Sequence, residues 1–156
     1  MISRQTVKFT LTPEAQASCS GNRIIYPKHV PGDAATDLRW FSTIRRGMFA
    51  LMPNEVVLFH TGLLVELPAN VCGIIIDRSG RAAEGIHVVG GLVDPGYRGE
   101  IKVALTCTDR AVHYLRVTER IAQLVLVPFV APLWEWAGTL TETERGPNGF
   151  GSTGDD

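Results

Sequence analysis

The sequence predicts an all-β fold, a sandwich, jelly roll or barrel, and two observations support this prediction. From residue 49 onward, short apolar runs rich in β-branched residues recur at intervals of about ten residues, with turn-forming residues between them. In this part of the chain, only residues 79–84 have a composition that favours a helical turn. The 156 residues fit one domain, and a chain of this length can bury one real core.

The predicted elements begin with an alternating segment at 6–10, which has the pattern of a strand. Thr12 and Pro13 suit the start of a short helix over 12–17. Residues 32–38 are interpreted as a turn, and Thr61 and Gly62 as a second turn between two strands. The clearest strand predictions are 56–60, 63–67, 71–76, 86–89, 101–107 and 121–127.

The composition changes after residue 137. Residues 138–156 include the glycine-rich run 146–154, which has too little apolar area to pack into a core. The sequence therefore predicts a β domain over 1–137 and a flexible arm over 138–156.

Charge and composition exclude several classes of function. The net charge is -1, so the basic excess of a general nucleic-acid binder is missing. No apolar run approaches the ~18 residues of a membrane span, and the N-terminus lacks the apolar region of a signal peptide. We therefore expect a cytoplasmic protein without stable nucleic-acid or membrane binding. The cysteines, Cys19, Cys72 and Cys107, match no metal-binding spacing, and the last two are expected to be small buried hydrophobes.

Asp94 is the strongest candidate for a chemical centre. It lies in the middle of the segment 86–105, which we interpret as a hairpin whose turn is 94–96. Asp-Pro-Gly is by itself an ordinary turn. Gly90 and Gly91, however, would let a ligand approach the backbone, and residues 97–100 add aromatic, cationic and acidic groups.

Two further segments could bind phosphate. Arg78, Ser79 and Gly80 follow a buried strand and can present a guanidinium, a hydroxyl and backbone N–H groups to an anion. The glycine-rich arm, which Arg145 precedes, can form an anion-binding nest of backbone N–H groups. It is not a Walker A loop, because no Gly-Lys-Ser/Thr sequence occurs. Each segment alone is also compatible with an ordinary surface turn or a free terminus.

Two polar residues complete the set of candidate site residues. Asp37 could contribute a carboxylate to magnesium, which is usually bound by one or two carboxylates together with substrate phosphates. Gln123 stands inside an apolar strand and needs hydrogen-bonding partners there.

Five segments, taken in order, resemble the five motifs of the trimeric dUTPase family. They are 35–38, 78–80, 91–101, 120–124 and 145–154. The resemblance implies a jelly-roll-like fold and a homotrimer in which the arm of one subunit closes over the active site of another. It also implies hydrolysis of dUTP to dUMP and pyrophosphate by attack of water on the α-phosphorus, with Mg²⁺ as cofactor. That reaction would keep uracil out of DNA and supply dUMP for thymidylate synthesis.

The resemblance assigns roles to individual positions. Asp94 would be the general base, and Tyr97 would stack under the deoxyribose and exclude a ribose 2′-OH. The backbone at Leu92, Val93 and Lys102 would bind uracil. Phosphates would be held by Arg78, Ser79, Gly80 and Gln123, while Asp37 would reach magnesium through water. The arm would close through Arg145, Phe150, Gly151, Ser152 and Thr153, with Phe150 over the base and Arg145 on the γ-phosphate.

The chain also departs from the family pattern. The family usually has Pro at the position of Asp77 and an apolar residue at the position of Arg81, and we expect the additional acid to weaken phosphate binding unless it pairs with Arg81. Many bacterial members place a uracil-reading Asn where Val88 stands, so main-chain contacts would have to suffice there. Asn148 replaces a usual Gly, a mild change because Asn tolerates the left-handed backbone region.

Two other functions fit the same fold. A dCTP deaminase-like enzyme also carries Asp-Pro-Gly before an aromatic residue, but it would have a catalytic Glu where Ala104 stands. A dUTPase-fold binding or signalling protein would keep the scaffold without turnover, although Asp94, Tyr97, Arg145 and Phe150 are all present here.

Overall fold

The computed structural model describes residues 5–18, 30, 32–43 and 47–147, and it confirms the all-β prediction. Two short helices occur in these residues, α1 (Pro13–Ser18) and α2 (Ser79–Ala83). The strands are β1 (Lys8–Leu11), β2 (Ala35–Arg39), β3 (Met48–Leu51), β4 (Val56–Glu66), β5 (Val71–Ile76), β6 (Ile86–Val88), β7 (Leu92–Val93), β8 (Glu100–Cys107), β9 (His113–Arg116) and β10 (Arg120–Pro128).

The strands form two four-stranded antiparallel sheets and one two-stranded ribbon. The first sheet has the order β1-β4-β8-β6, the second β2-β10-β5-β7, and the ribbon pairs β3 with β9. From β4 to β8 the chain alternates between the two large sheets. Since consecutive strands lie in opposite sheets, one apolar cluster unites buried residues from both, including Leu38 and Leu124 from the second sheet and Phe59 and Val103 from the first.

The side chains of β8 show why the sequence folds in this way. Ile101, Val103, Leu105 and Cys107 are buried, and the residues between them are more exposed. This period of two is that of a strand with one face in the core. Burying each of the larger side chains stabilises the fold by about 1.5–3 kcal/mol. The same alternation turns Lys102 outward, toward the site described below.

Two local predictions need correction. Residues 35–39 form strand β2 rather than part of a turn, because Leu38 is buried and Asp37 pairs in register with Gln123 of β10. Thr61 and Gly62 do not end a strand: β4 runs through them with a register shift between His60 and Leu64. The buried Thr61 hydroxyl donates to the carbonyl of Ile101 at 2.6 Å, which satisfies the polar group inside this bulge.

The predicted hairpin over 86–105 is only partly correct. β6 does pair with β8, with Val88 opposite Leu105. The chain between them, however, crosses to the other sheet, where β7 pairs with β5. Gly91 permits the crossing: its φ is 130°, and a Cβ there would lie 2.8 Å from the Cβ of Ile75. The Asp94 turn therefore connects two sheets instead of closing one tight hairpin.

Both helix predictions are confirmed. The Thr12 hydroxyl accepts a hydrogen bond from the Ala15 N–H at 3.3 Å, which is the geometry of an N-terminal cap for α1. α2 lies within the predicted 79–84 segment. No helix among the described residues is both long and apolar enough to cross a membrane.

Residues 129–147 follow the last strand and differ from the rest of the chain. Leu133, Trp134 and Trp136 are each more than 90% exposed. The apolar exposure begins directly after β10 and therefore before residue 138, where the sequence predicts the start of the arm. Residues 148–156 lie outside the described residues.

Candidate active site

A cavity of about 300 Å³ lies beside the Asp94 turn. Its size is at the lower end of the range for small-molecule sites. Six of the residues predicted from the sequence line it: Val88, Leu92, Val93, Asp94, Tyr97 and Lys102. They come from β6, β7, the turn and β8, so the crossing between the sheets is what brings them together.

The turn itself is held by its own hydrogen bonds. The Tyr97 N–H donates to the Asp94 carbonyl at 3.1 Å, and the Tyr97 hydroxyl donates to the Glu100 carbonyl at 2.9 Å. Arg98 donates to the carbonyls of Pro95 and Tyr97. The Tyr97 phenol lies directly over Gly99, where any Cβ would collide with it. The position of the ring therefore depends on glycine at 99.

The Asp94 carboxylate is exposed, and among the described residues it makes no hydrogen bond or ion pair. A carboxylate with free lone pairs at the edge of a cavity is available to accept a proton from a bound water.

Glu100 fixes the start of β8 and has a role that sequence reasoning missed. One carboxylate oxygen accepts the Gly62 N–H at 2.7 Å, and the other lies 2.7 Å from Nδ1 of His60. These contacts tie the end of the Asp94 turn to the bulge of β4. The only signal in the sequence was the acidic residue at the end of the turn; its partners are about 40 positions away along the chain.

A second group of predicted residues lies where β2, β10 and the start of α2 meet. Arg78 precedes α2 in extended conformation and forms an ion pair with Asp37. Arg120 contacts the other Asp37 oxygen at 3.1 Å. Gln123 is opposite Asp37 on one side and Ile76 on the other. Ser79 and Gly80 follow as exposed residues of α2, so this group gathers guanidinium, hydroxyl and amide groups.

Asp77 links the two groups. One of its oxygens accepts the Val88 N–H at 2.5 Å, and the other lies 2.8 Å from Nδ1 of His87. Asp77 therefore does not form the ion pair with Arg81 that would have offset its charge near the phosphates. α2 directs Arg81 toward the turn between β9 and β10, where it pairs with Glu119, and also toward Glu84, the residue that follows the helix.

The predicted arm residues are placed as follows. Arg145 is exposed, in a turn closed by a 3.0 Å hydrogen bond from the Gly146 N–H to the Thr143 carbonyl, and it does not line the Asp94 cavity. Phe150, Gly151, Ser152 and Thr153 lie outside the described residues.

The fold and the site together define an all-β nucleotide-hydrolysing enzyme, with a carboxylate and an aromatic ring at a cleft and guanidinium groups for an anion nearby. A family model described as dUTPase matches residues 22–154. Deoxyuridine 5'-triphosphate nucleotidohydrolase of Cutibacterium acnes is 44% identical over 129 residues, covering 80% of this chain and 82% of its own. That of Nocardia farcinica is 45% identical over 133 residues, covering 80% and 74%. The chain belongs to the dUTPase family, and its reaction is the hydrolysis of dUTP to dUMP and pyrophosphate.

Solved structures confirm the fold. The dUTPase of Staphylococcus bacteriophage 80alpha with dUpNHpp has a TM-score of 0.74 at 23% identity, covering 97% of this chain and 99% of that chain. The native EIAV dUTPase has a TM-score of 0.67 at 20% identity, covering 87% of this chain and all of that chain. The predicted family, fold and reaction are thus confirmed, and the deaminase alternative is not favoured.

Proposed function

We propose that Asp94 is the general base of dUTP hydrolysis in this chain. The observation that supports this role is the convergence of Asp94, Tyr97 and four other predicted residues on one cavity. Asp94 would take a proton from water as the water oxygen bonds to the α-phosphorus. The bond from that phosphorus to the bridging oxygen breaks, and pyrophosphate leaves. A positioned base contributes about 10²–10⁴-fold in rate.

The cavity walls would select the deoxynucleoside. The Tyr97 ring is positioned by its hydrogen bond to Glu100 and occupies the room that the absence of a Cβ at Gly99 leaves. It would lie against the sugar and exclude a 2′-OH. The backbone of Leu92, Val93 and Lys102 would supply the hydrogen bonds to uracil. Val88 lines the cavity with an apolar side chain, so its contact with the base would be limited to packing and main-chain atoms.

The second group would bind the triphosphate. Arg78, Ser79, Gly80 and Gln123 would neutralise and orient it, which is the main requirement of phosphoryl chemistry. Magnesium would supply further charge neutralisation when bound. Both Asp37 oxygens already contact guanidinium groups, so direct coordination would break two ion pairs. The arrangement therefore fits an Asp37 that holds the ion through water.

A homotrimer would complete the site. Leu133, Trp134 and Trp136 are almost fully exposed in the described chain, and an exposed apolar surface of this kind is typical of a protein–protein interface. A second copy would cover it, and the arm carrying Arg145, Phe150, Gly151, Ser152 and Thr153 would close over a neighbouring site. Such a lid excludes water during the reaction and opens for product release. We place the enzyme in the cytoplasm.

Pyrophosphate release from dUTP, dCTP, dTTP and UTP, each with and without Mg²⁺, tests this proposal. Turnover should be fastest with dUTP and Mg²⁺. UTP should be a poor substrate because its 2′-OH meets Tyr97, and Tyr97→Ala should selectively improve UTP relative to dUTP. Equal selectivity in Tyr97→Ala and in the wild type would remove Tyr97 from sugar recognition. Tyr114→Ala, an exposed tyrosine on β9, is the matched control.

A further inference from the structure

A cluster of three potential metal ligands lies at the junction of β8 and β9, and none of its members lines the Asp94 cavity. The Cys107 Sγ is 2.8 Å from an Asp109 carboxylate oxygen, and Nε2 of His113 is 3.0 Å from each Asp109 oxygen. One ligand atom from each residue lies within 4.8 Å of the other two.

The backbone holds this cluster in place. Cys107 is the last residue of β8 and fully buried, and its carbonyl accepts the Asn54 N–H at 2.8 Å. His113 is the first residue of β9 and pairs in register with Leu51. Asp109 lies in the connecting turn, where its carboxylate also accepts the Ala111 N–H at 3.1 Å. Two ligands on strand ends and a third in a hydrogen-bonded turn make a preorganised site.

The donor set points to one class of cation. Thiolate sulfur and imidazole nitrogen are ligands that Zn²⁺ prefers, whereas Mg²⁺ is bound almost entirely by oxygen. We propose that Cys107, Asp109 and His113 bind one Zn²⁺ ion, with a fourth position open to water. The site is separate from the magnesium used with dUTP.

The geometry requires a small adjustment on binding. Zinc bonds of 2.0–2.3 Å in a tetrahedron place neighbouring donor atoms about 3.5 Å apart. The donors that contact Asp109 at 2.8–3.0 Å would therefore move outward by less than about 1 Å.

Binding replaces the hydrogen bonds of Cys107 and His113 to Asp109 by three metal bonds, one from each residue. The Cys107 thiol releases its proton to solvent and binds as thiolate, and His113 binds through the Nε2 lone pair with its proton on Nδ1. Burial raises the pKa of the Cys107 thiol, and the hydrogen bond to Asp109 adds to this effect, so the metal has to displace a bound proton. The ion would join the ends of β8 and β9 and thereby stabilise the folded chain.

Cobalt and zinc titrations of the full-length, tag-free protein in excess Mg²⁺ test the proposal. Co²⁺ should bind with one equivalent per chain and produce a thiolate-to-cobalt charge-transfer band, and Zn²⁺ should displace it and raise the Tm. The double variant Cys19→Ser/Cys72→Ser, which leaves Cys107 as the only cysteine, should behave like the wild type. Cys107→Ser should lose the band, and His113→Gln should bind at least about tenfold more weakly, or ~1.4 kcal/mol.

Three results would overturn the zinc site. They are a wild type without the charge-transfer band, a band that survives in Cys107→Ser, and equal affinity in His113→Gln. Cys107 is buried, so its substitution could disturb folding. His113 is more exposed, so His113→Gln tests the site without that ambiguity. Its circular dichroism and elution volume should match those of the wild type.

Discussion

The carboxylates of Asp94, in the turn beside the cavity, and of Asp37, in the second group of site residues, have opposite surroundings. The Asp94 carboxylate lies at a cavity and makes no hydrogen bond or ion pair among the described residues. Asp37 has each oxygen against a guanidinium, from Arg78 and Arg120. Both Asp37 oxygens are therefore engaged in ion pairs, whereas the Asp94 oxygens are open to a bound water. The difference separates a carboxylate suited to proton transfer from one suited to organising charge.

The largest expected effect among structural substitutions concerns the Asp94 turn. Gly99→Ala would place a methyl group where the Tyr97 phenol lies, so the ring would have to move. A displacement of about 1 Å near the reacting groups can lower the rate about 10²-fold, and we expect kcat/KM for dUTP to fall by this order. Steady-state kinetics measures it.

Gly96→Ala is the control for that experiment. Gly96 lies in the same turn, but a Cβ there would meet nothing within 4 Å. It should leave kcat/KM nearly unchanged. Equal losses in both variants would mean that the turn responds to any lost glycine, and the specific role of the Tyr97 position would be refuted.

A smaller effect is expected at Asp37. Asp37→Asn removes the negative charge between Arg78 and Arg120 and the carboxylate that would hold magnesium through water. We expect the apparent Mg²⁺ affinity in dUTP hydrolysis to fall by about 10-fold, the lower end of the range for outer-shell partners. Asp33→Asn, an exposed acid before β2, should not alter the Mg²⁺ dependence. An unchanged Mg²⁺ titration in Asp37→Asn would exclude Asp37 from the metal site.

The smallest effect concerns Asp77, which joins the two regions. Asp77→Ala loses the acceptor for the Val88 N–H, a change worth about 0.5–1.5 kcal/mol, and should raise the KM for dUTP a few-fold. Asp77→Asn keeps one carbonyl acceptor and should recover most of this loss. If Asp77→Asn and Asp77→Ala have the same KM for dUTP, the hydrogen bond from Val88 to Asp77 does not position the cavity wall that would contact uracil.

Sequence reasoning worked best where local pattern and burial agree. Residues 71–76 were predicted as a strand and form β5, and the predicted 121–127 differs from β10 by one residue at each end. Strands β2, β3 and β9 were missed: polar residues interrupt the apolar pattern of β2 and β9, and β3 is apolar but only four residues long. Their pairing is with distant partners, such as Asp37 with Gln123.

For the site, the residue types could be predicted but not their partners. Asp94 and Tyr97 were found because they crowd together within one short turn. The contacts of Asp77 with His87 and of Arg81 with Glu119 depend on how α2 and β6 pack, which no local pattern encodes. The cluster of Cys107, Asp109 and His113 was likewise invisible, because the three cysteines alone match no metal-binding spacing.

Single-turnover hydrolysis of dUTP by Asp94→Asn, measured beside Asp37→Asn at saturating Mg²⁺, decides whether Asp94 is the general base. We expect Asp94→Asn to bind dUTP with nearly unchanged affinity but to hydrolyse it about 10²–10⁴-fold more slowly, because the amide cannot accept the proton from water. Asp37→Asn should retain most of its chemical rate under these conditions. Turnover of Asp94→Asn within about tenfold of the wild type, well below the usual contribution of a general base, would contradict the assignment of Asp94 as the base.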